Sequence, residues 1–285
     1  MDSRILNVFR AVADTGSVSA AAARLHTVQS NVTAHIKRLE RDLGRRLFYR
    51  KPRGVELTPA GAVLLGYARR ISHLMDEAGK AVQDAGDATG QLRLGSLETL
   101  AAVRLPPILA RFRQEFPRVD LHLTTGSTEF LAGEVLDFRV EGAFVAGAVD
   151  HPHVDYRVLY EEELVLVSEA GRARVDTLKD EILLVFRAGC AFRARAERWL
   201  REEGLLPLRK MEFGALDAIL GCVAAGMGVT LLPRVVVERP QYRGLVRTHR
   251  IPKRYARLPV AFIRHRDAIE TRALAQLVGM AASWK

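Results

Sequence analysis

The segment SVSAAAARLHTVQSNVTAHIKRLERDLGRRLFYRKPRGVELTPAG, Ser17 to Gly61, decides how this chain is read. Ser17-Val18-Ser19 places hydroxyls at the start of an alanine-rich helix that runs from Ser19 to about Leu25. His26-Thr27 makes a tight turn. From Val28 to Leu43 the apolar residues Val32, Ile36, Leu39 and Leu43 recur at spacings of four, three and four, so one stripe faces a core and Gly44 ends the helix. Leu47–Arg50 and Val55–Leu57 read as short strands joined by Lys51-Pro52-Arg53-Gly54, a turn with two exposed cations. Upstream, Ile5, Leu6, Phe9, Val12 and Ala13 share a face of a first helix that Asp14-Thr15-Gly16 closes. Helix, turn, second helix and basic hairpin form the layout of a winged helix-turn-helix, whose second helix fits the major groove of DNA.

Charge supports that layout. Between Arg24 and Arg53 nine basic residues stand against two acidic ones, so seven of the chain's ten surplus positive charges sit in thirty residues. A charge run alone reads as a solvated face, and Gln29 and Asn31 alone as helix caps. The turn, polar helix start, basic hairpin and following long helix together favour DNA binding. Gln29, Ser30 and Asn31 open the second helix and Thr33 lies one turn on; such short polar groups read base edges, Gln and Asn by two-point bonding to adenine. Lys37, Arg38, Arg41 and Arg50 suit phosphates, and Arg53 at the hairpin tip is placed for an adjacent minor groove.

The totals are compatible. The chain has 285 residues, 48% hydrophobic and 27% charged, and its 43 Lys and Arg exceed its 33 Asp and Glu by ten. This excludes a disordered, collagen-like or disulfide-stapled chain, leaves room for two or three domains, and makes a polyanion a natural partner. Cys190 and Cys222 are the only cysteines, which fits a reducing compartment. The N-terminus lacks the apolar run of a signal peptide. The longest uncharged apolar stretch, Ala218–Pro233, is shorter than the roughly 20 residues of a spanning helix and is broken by glycines. A cytoplasmic protein with no membrane partner is expected.

Thr58-Pro59 starts a long helix reaching about Asp84. Leu64, Ile71, Ala78 and Ala85 recur every seven residues, interleaved with Tyr67, Leu74 and Ala81, a seam expected to pair with a second copy. Residues 1–58 are thus read as the DNA-binding domain, 59–90 as dimerisation helix and hinge, and 91–285 as a third part. In that part β-like runs at Leu92–Gly95, Val119–Thr124, Val140–Val145, Leu164–Val167, Ile182–Val185, Val229–Leu232 and Leu258–Ile263 alternate with helices, notably Leu100–Phe116, Phe192–Glu203 and Ala215–Ala225. The alternation predicts an α/β fold with mainly parallel sheets.

The quoted run resembles the DNA-binding domain of LysR-type transcriptional regulators. It has their alanine-rich helix, Gln-led recognition helix, the R-L-E-x-x-L-G motif, and L-F-x-R and L-T-x-A-G, here Leu47-Phe48-Tyr49-Arg50 and Leu57-Thr58-Pro59-Ala60-Gly61. The resemblance implies base contacts from Gln29, Ser30 and Thr33, minor-groove contact from Arg53, and dimers through the Thr58–Asp84 helix, usually assembled into tetramers. Val28 in place of a frequent Ser, and Ala34 where many members carry Arg, remove polar contacts and leave the preferred half-site open. The resemblance also implies two α/β subdomains like a periplasmic binding protein, about 91–162 with 265–285 and about 163–264, with crossovers near Glu161–Glu163 and Phe262–His265. A small-molecule effector would lie between them, and RNA polymerase is admitted as a further partner.

Three strand-to-helix turns are candidates for that effector: Gly95–Thr99, Thr124–Thr128 and Gly189–Arg193. Ser96, Glu98, Thr99, Thr125, Ser127, Cys190 and Phe192 are the candidate contacts, with Gly147 as a point of close backbone approach. Helix starts favour an organic anion, and no resident cofactor is expected. Each hydroxyl or thiol has the alternative of simply capping its helix. No catalytic motif or metal-ligand spacing is present, so an enzyme is not expected. His151-Pro152-His153 reads as a solvated loop rather than a metal site, and Cys222, within an apolar helix, as a small hydrophobe rather than half of a redox pair. Two other classes remain: an architectural DNA-binding protein without ligand control, and a metabolite-binding or enzymatic α/β protein with an incidental basic head.

Overall fold

The computed structural model describes residues 2–282 apart from 53, 84–88, 173–177, 179, 180 and 206–208. Arg53 and residues 86–88 of the expected hinge Gly86–Gly90 therefore lie outside the described residues, as does Ala85, while Gly90 opens a strand. The chain divides into two compact units, Met1–Ala85 and Gly86–Lys285.

The first unit holds α1 (Ser3–Thr15), α2 (Val18–Arg24), α3 (Gln29–Leu43), the hairpin β1 (Phe48–Lys51) and β2 (Gly54–Leu57), and α4 (Pro59–Gln83). Asp2 and Ser17 cap α1 and α2, each accepting a backbone N–H three residues on. Ile5, Phe9, Val12, Val32, Leu39, Leu47 and Ala68 make the centre of the core. Two glycines permit contacts that a side chain would block. A Cβ at Gly54, whose φ is +137°, would lie 2.3 Å from the Gly16 carbonyl oxygen. One at Gly61 would lie 2.1 Å from that of Leu47. The glycine of the L-T-x-A-G run is thus where α4 crosses the hairpin backbone. Beside it the Thr58 hydroxyl donates to Arg46 O at 2.8 Å and accepts from Gly61 N at 3.0 Å, capping α4.

The heptad seam of α4 is divided. Leu64 and Ile71 pack partly on the core of their own unit, while Tyr67 and Leu74, with Val63 and Met75, stand exposed. Leu64 and Ile71 therefore serve the unit's own fold, while Tyr67 and Leu74 belong to an exposed apolar row.

The second unit contains β3 (Gly90–Ser96), α5 (Glu98–Val103), α6 (Leu105–Glu115), β4 (Val119–Thr125), α7 (Thr128–Leu136), β5 (Gly142–Ala146) and β6 (Val154–Glu169). There follow β7 (Ile182–Phe186), α8 (Ala191–Glu202), β8 (Arg209–Phe213), α9 (Leu216–Ala224), β9 (Thr230–Pro233), α10 (Arg234–Val237), β10 (Val246–His249), β11 (Arg257–His265) and α11 (Arg272–Ala281). The single helix expected over Leu100–Phe116 is two, broken at Arg104, because Pro106 and Pro107 cannot supply helical N–H donors.

Strand order is β10-β6-β11-β5-β3-β4, with β9 also on β6 and β7-β8 as a separate parallel pair. The sheet is mixed rather than mainly parallel. β3 runs parallel to β4 and β5, but β11 is antiparallel to both β5 and β6. The sixteen-residue β6 serves two layers: up to Glu163 it pairs with β11, and from Leu164 it pairs with β9 and β10. The first crossover thus falls at Glu163–Leu164. The return comes at the start of β11, near Arg257, instead of near Phe262–His265, because Val260 to Ile263 already pair with β5.

Candidate nucleic-acid interface and effector cavity

In the first unit α3 begins at Gln29 with Val28 at the cap position, its side chain making no capping bond. Gln29 and Ser30 are exposed at the helix start, Asn31 and Thr33 half-buried, and Lys37, Arg38 and Arg50 exposed. The Asn31 amide donates to the Thr27 hydroxyl at 2.9 Å, so it closes the turn between α2 and α3. His26, in that turn, takes a left-handed φ of +50°. Gln29, Thr33, Lys37, Arg50 and Lys51 line one groove of about 810 Å³ between α3 and the hairpin. Glu40, acidic within a basic stretch, lines the same groove but is engaged by the hairpin. Its carboxylate accepts the backbone N–H groups of Leu47 at 2.8 Å and Phe48 at 3.4 Å, which anchors the hairpin to α3. Phe48 then packs on Phe9 with ring centres 5.3 Å apart.

In the second unit the three strand-to-helix turns meet. Glu98, Thr99, Thr125, Ser127, Cys190 and Phe192 line one cavity of about 410 Å³. It lies at the carboxyl ends of strands, where α/β sheets leave room for ligands. Ser96 and Gly147 do not line it. The Ser96 side chain is fully buried behind the wall and donates to Leu97 O at 3.0 Å. Gly147 adopts φ +80°, and its N–H and carbonyl are taken by Pro259 O and the Tyr156 hydroxyl.

Two hydrogen bonds join segments that meet beside the cavity. Glu98 Oε1 accepts from Leu216 N, the first residue of α9, at 2.9 Å. Ala215, at the cap position of α9, has no side-chain oxygen to do so. Glu129 N donates to Gly189 O at 3.4 Å. Ser127 caps α7 through Phe130 N at 3.3 Å, whereas Cys190 makes no capping bond and burial pushes its thiol pKa up. The Thr99 hydroxyl has no hydrogen-bond partner although its residue is only 2% exposed. Arg193 points elsewhere, bonding Phe186 O, Glu197 and Glu212.

The sequence reading missed Arg187, Phe130, Phe186 and Phe213, which also line the cavity. Phe186 and Phe213 end β7 and β8, and Arg187 follows β7. The signal was the strand-end position; it was hidden because β8, RKMEF, is charged and exposed and does not read as a strand.

These features define a class: a DNA-binding protein with a winged helix-turn-helix head and a separate α/β domain enclosing a small-molecule cavity. Residues 3–62 match the model for the bacterial regulatory helix-turn-helix protein, lysR family, and residues 85–284 that for the LysR substrate binding domain. The chain is 43% identical over 277 residues to the HTH-type transcriptional regulator GltR of Bacillus subtilis (strain 168), covering 96% of this chain and 94% of that one. The solved structure of CbnR complexed with target DNA is similar over 99% of both chains, with TM-score 0.67 and 27% identity. Full-length OxyR of Pseudomonas aeruginosa, as a point variant, shares the fold at TM-score 0.76 and 20% identity over 99% of this chain and 93% of that one. The chain belongs to the LysR family of DNA-binding transcriptional regulators, and it is a regulator rather than an enzyme. Among the described residues no helix is long and apolar enough to cross a membrane.

Proposed function

We propose that this regulator binds its operator as an assembly of at least two chains and that a small organic anion with an apolar or aromatic body, held in the 410 Å³ cavity, sets the geometry of that assembly. The observation that carries the effector reading is Thr99. A buried hydroxyl without a partner costs free energy, and Thr99 is part of the cavity's wall, where a ligand that shifts the wall could offer it one. Arg187 supplies a cation at the wall, and Phe130, Phe186, Phe192 and Phe213 supply apolar contact. The two bridging bonds, from Glu98 and Glu129, give the ligand something to strengthen or break, which is how binding energy becomes a conformational bias.

Pairing of chains is supported by the exposed row Val63, Tyr67 and Leu74 on α4. Two heads on one duplex bind much more tightly than one, provided that half-sites lie about one helical turn apart. In this reading Gln29, Ser30 and Thr33 read bases, Lys37, Arg38 and Arg50 hold phosphates, and no resident cofactor takes part. The protein works where its DNA is, in the bacterial cytoplasm, and contact with RNA polymerase would follow from the bound geometry.

A thermal-shift screen of aliphatic carboxylates, aromatic acids and oxidants tests the effector arm, since a ligand of the native state raises the melting temperature. A carboxylate that stabilises the wild type and not Thr99→Val or Arg187→Gln supports it. A screen in which only oxidants act, or in which the two variants respond like wild type, counts against it.

A further inference from the structure

His151-Pro152-His153 gains two neighbours in the folded chain. The β6–β11 ladder ends with Val154 opposite His265, and Arg266 N donates to His153 O at 2.8 Å. The rings of His153 and His265 then lie 5.7 Å apart and within 7° of parallel, and the His151 ring lies 5.7 Å from that of His153. His153, His265 and Asp267 each bring one donor atom to within 4.8 Å of the other two, the single such group of three His, Cys, Asp or Glu among the described residues.

From this juxtaposition we propose that His153, His265 and Asp267 bind a divalent transition metal, best matched by Zn2+, with His151 or water in the fourth position. Two imidazole nitrogens and one carboxylate oxygen suit zinc and its first-row neighbours, whereas calcium and magnesium require a shell of oxygens. Donors held at roughly 2.0–2.2 Å in a tetrahedron lie about 3.3–3.6 Å apart, so the three groups must close by an ångström or so. His153 and Asp267 are exposed and can make that movement, while His265 is buried and stays.

The anchor is built. Phe138 lays its ring 4.2 Å from that of His265, and Phe138 holds a left-handed φ of +54°, a conformation that bulky residues rarely adopt. Its ring gives the imidazole an apolar wall of the kind that surrounds metal ligands. Ala268 N donates to His265 O at 3.1 Å and Arg266 N to His153 O at 2.8 Å, holding the turn and the strand that carry the ligands; Asp267 N also donates to His265 Nδ1 at 3.2 Å. Coordination through Nε2 moves the proton to Nδ1, so that 3.2 Å contact is exchanged for the metal bond. The site shares no residue with the 410 Å³ cavity.

The test uses the full chain, stripped with a chelator, and Zn2+ titrated in competition with a chromophoric chelator. One tight equivalent per chain is expected, with affinity falling at least tenfold in His153→Ala and in Asp267→Asn. Each variant is compared with its own chelator-treated state, and both should lose the stabilisation that Zn2+ gives the wild type. Magnesium should stabilise neither. No zinc binding by the wild type, or binding that persists at full affinity in both variants, overturns the proposal.

Discussion

Glu98 and Leu216 are joined by a 2.9 Å hydrogen bond from the Leu216 N–H to a carboxylate that comes from the opposite wall of the cavity. A helix start that carries no capping side chain of its own, with Ala215 at the cap, is completed by the first residue of α5. The charge also complements the positive end of α9. Glu98→Ala should therefore cost about 1–2 kcal/mol of stability and loosen the cavity. Urea unfolding of the variant beside Glu98→Gln, which retains an acceptor, checks this; equal losses in both would assign the effect to charge alone.

Gly189 makes the second bridge possible. Its φ is +83°, and a Cβ there would lie 2.8 Å from the Glu129 carboxylate and 2.9 Å from Ser127 Oγ. Gly189→Ala should strain this loop, because of the positive φ, and destabilise the domain by roughly 1–3 kcal/mol. A stabilising ligand from the thermal screen should act more weakly on it than on the wild type. An unchanged melting temperature and ligand response would show that the loop yields freely.

Gln29 is exposed at the first turn of α3. Gln29→Ala should weaken operator binding by roughly 1–3 kcal/mol and leave random duplexes little affected. Fluorescence anisotropy on both duplexes decides it, and equal losses on both would remove Gln29 from the base-reading set.

Arg50 sits on β1 at the groove between hairpin and α3. A phosphate contact carries no sequence information, so Arg50→Ala should weaken operator and random DNA alike and reduce the salt slope by about one. Affinity measured across a salt series tests this, and a slope unchanged from wild type would place Arg50 off the phosphates.

Glu162 lies on β6 beside the crossover, buried, accepting from the Tyr160 hydroxyl at 3.0 Å and 3.6 Å from the Arg104 guanidinium. Burial raises its pKa above the ordinary 4.5, with the Tyr160 bond and Arg104 only partly opposing. The folded state then holds a proton that the unfolded chain has released, so stability is full below pH 4.5 and falls as pH rises through the folded value. Glu162→Gln should flatten that descending limb. Chemical unfolding of both proteins from pH 4.5 upward reads the difference; parallel curves would show that Glu162 titrates alike in both states.

Where sequence reading worked, the signal was local. The caps at Ser17 and Thr58, the stripe Val32, Ile36 and Leu39, and the strand Leu164–Val167 each follow from a few neighbouring residues. Where it fell short, a residue's role came from a distant partner. Glu40 looks like one more charge on a basic helix until the hairpin returns to offer its N–H groups. The polar first half of β6 does not read as a strand, because its pairing with β11 supplies what its own alternation lacks.

The order of helices, the basic head and the three turns that could meet a ligand are written in the chain, because capping, periodicity and charge act over a few residues. That those turns close around one cavity, that Leu64 and Ile71 of the α4 seam are spent on their own core, and that His153 comes to stand beside His265 were settled only by folding. The reason is physical: β6 threads two layers and β11 returns antiparallel beside it, and such long-range pairing carries no signature in the residues that lie between.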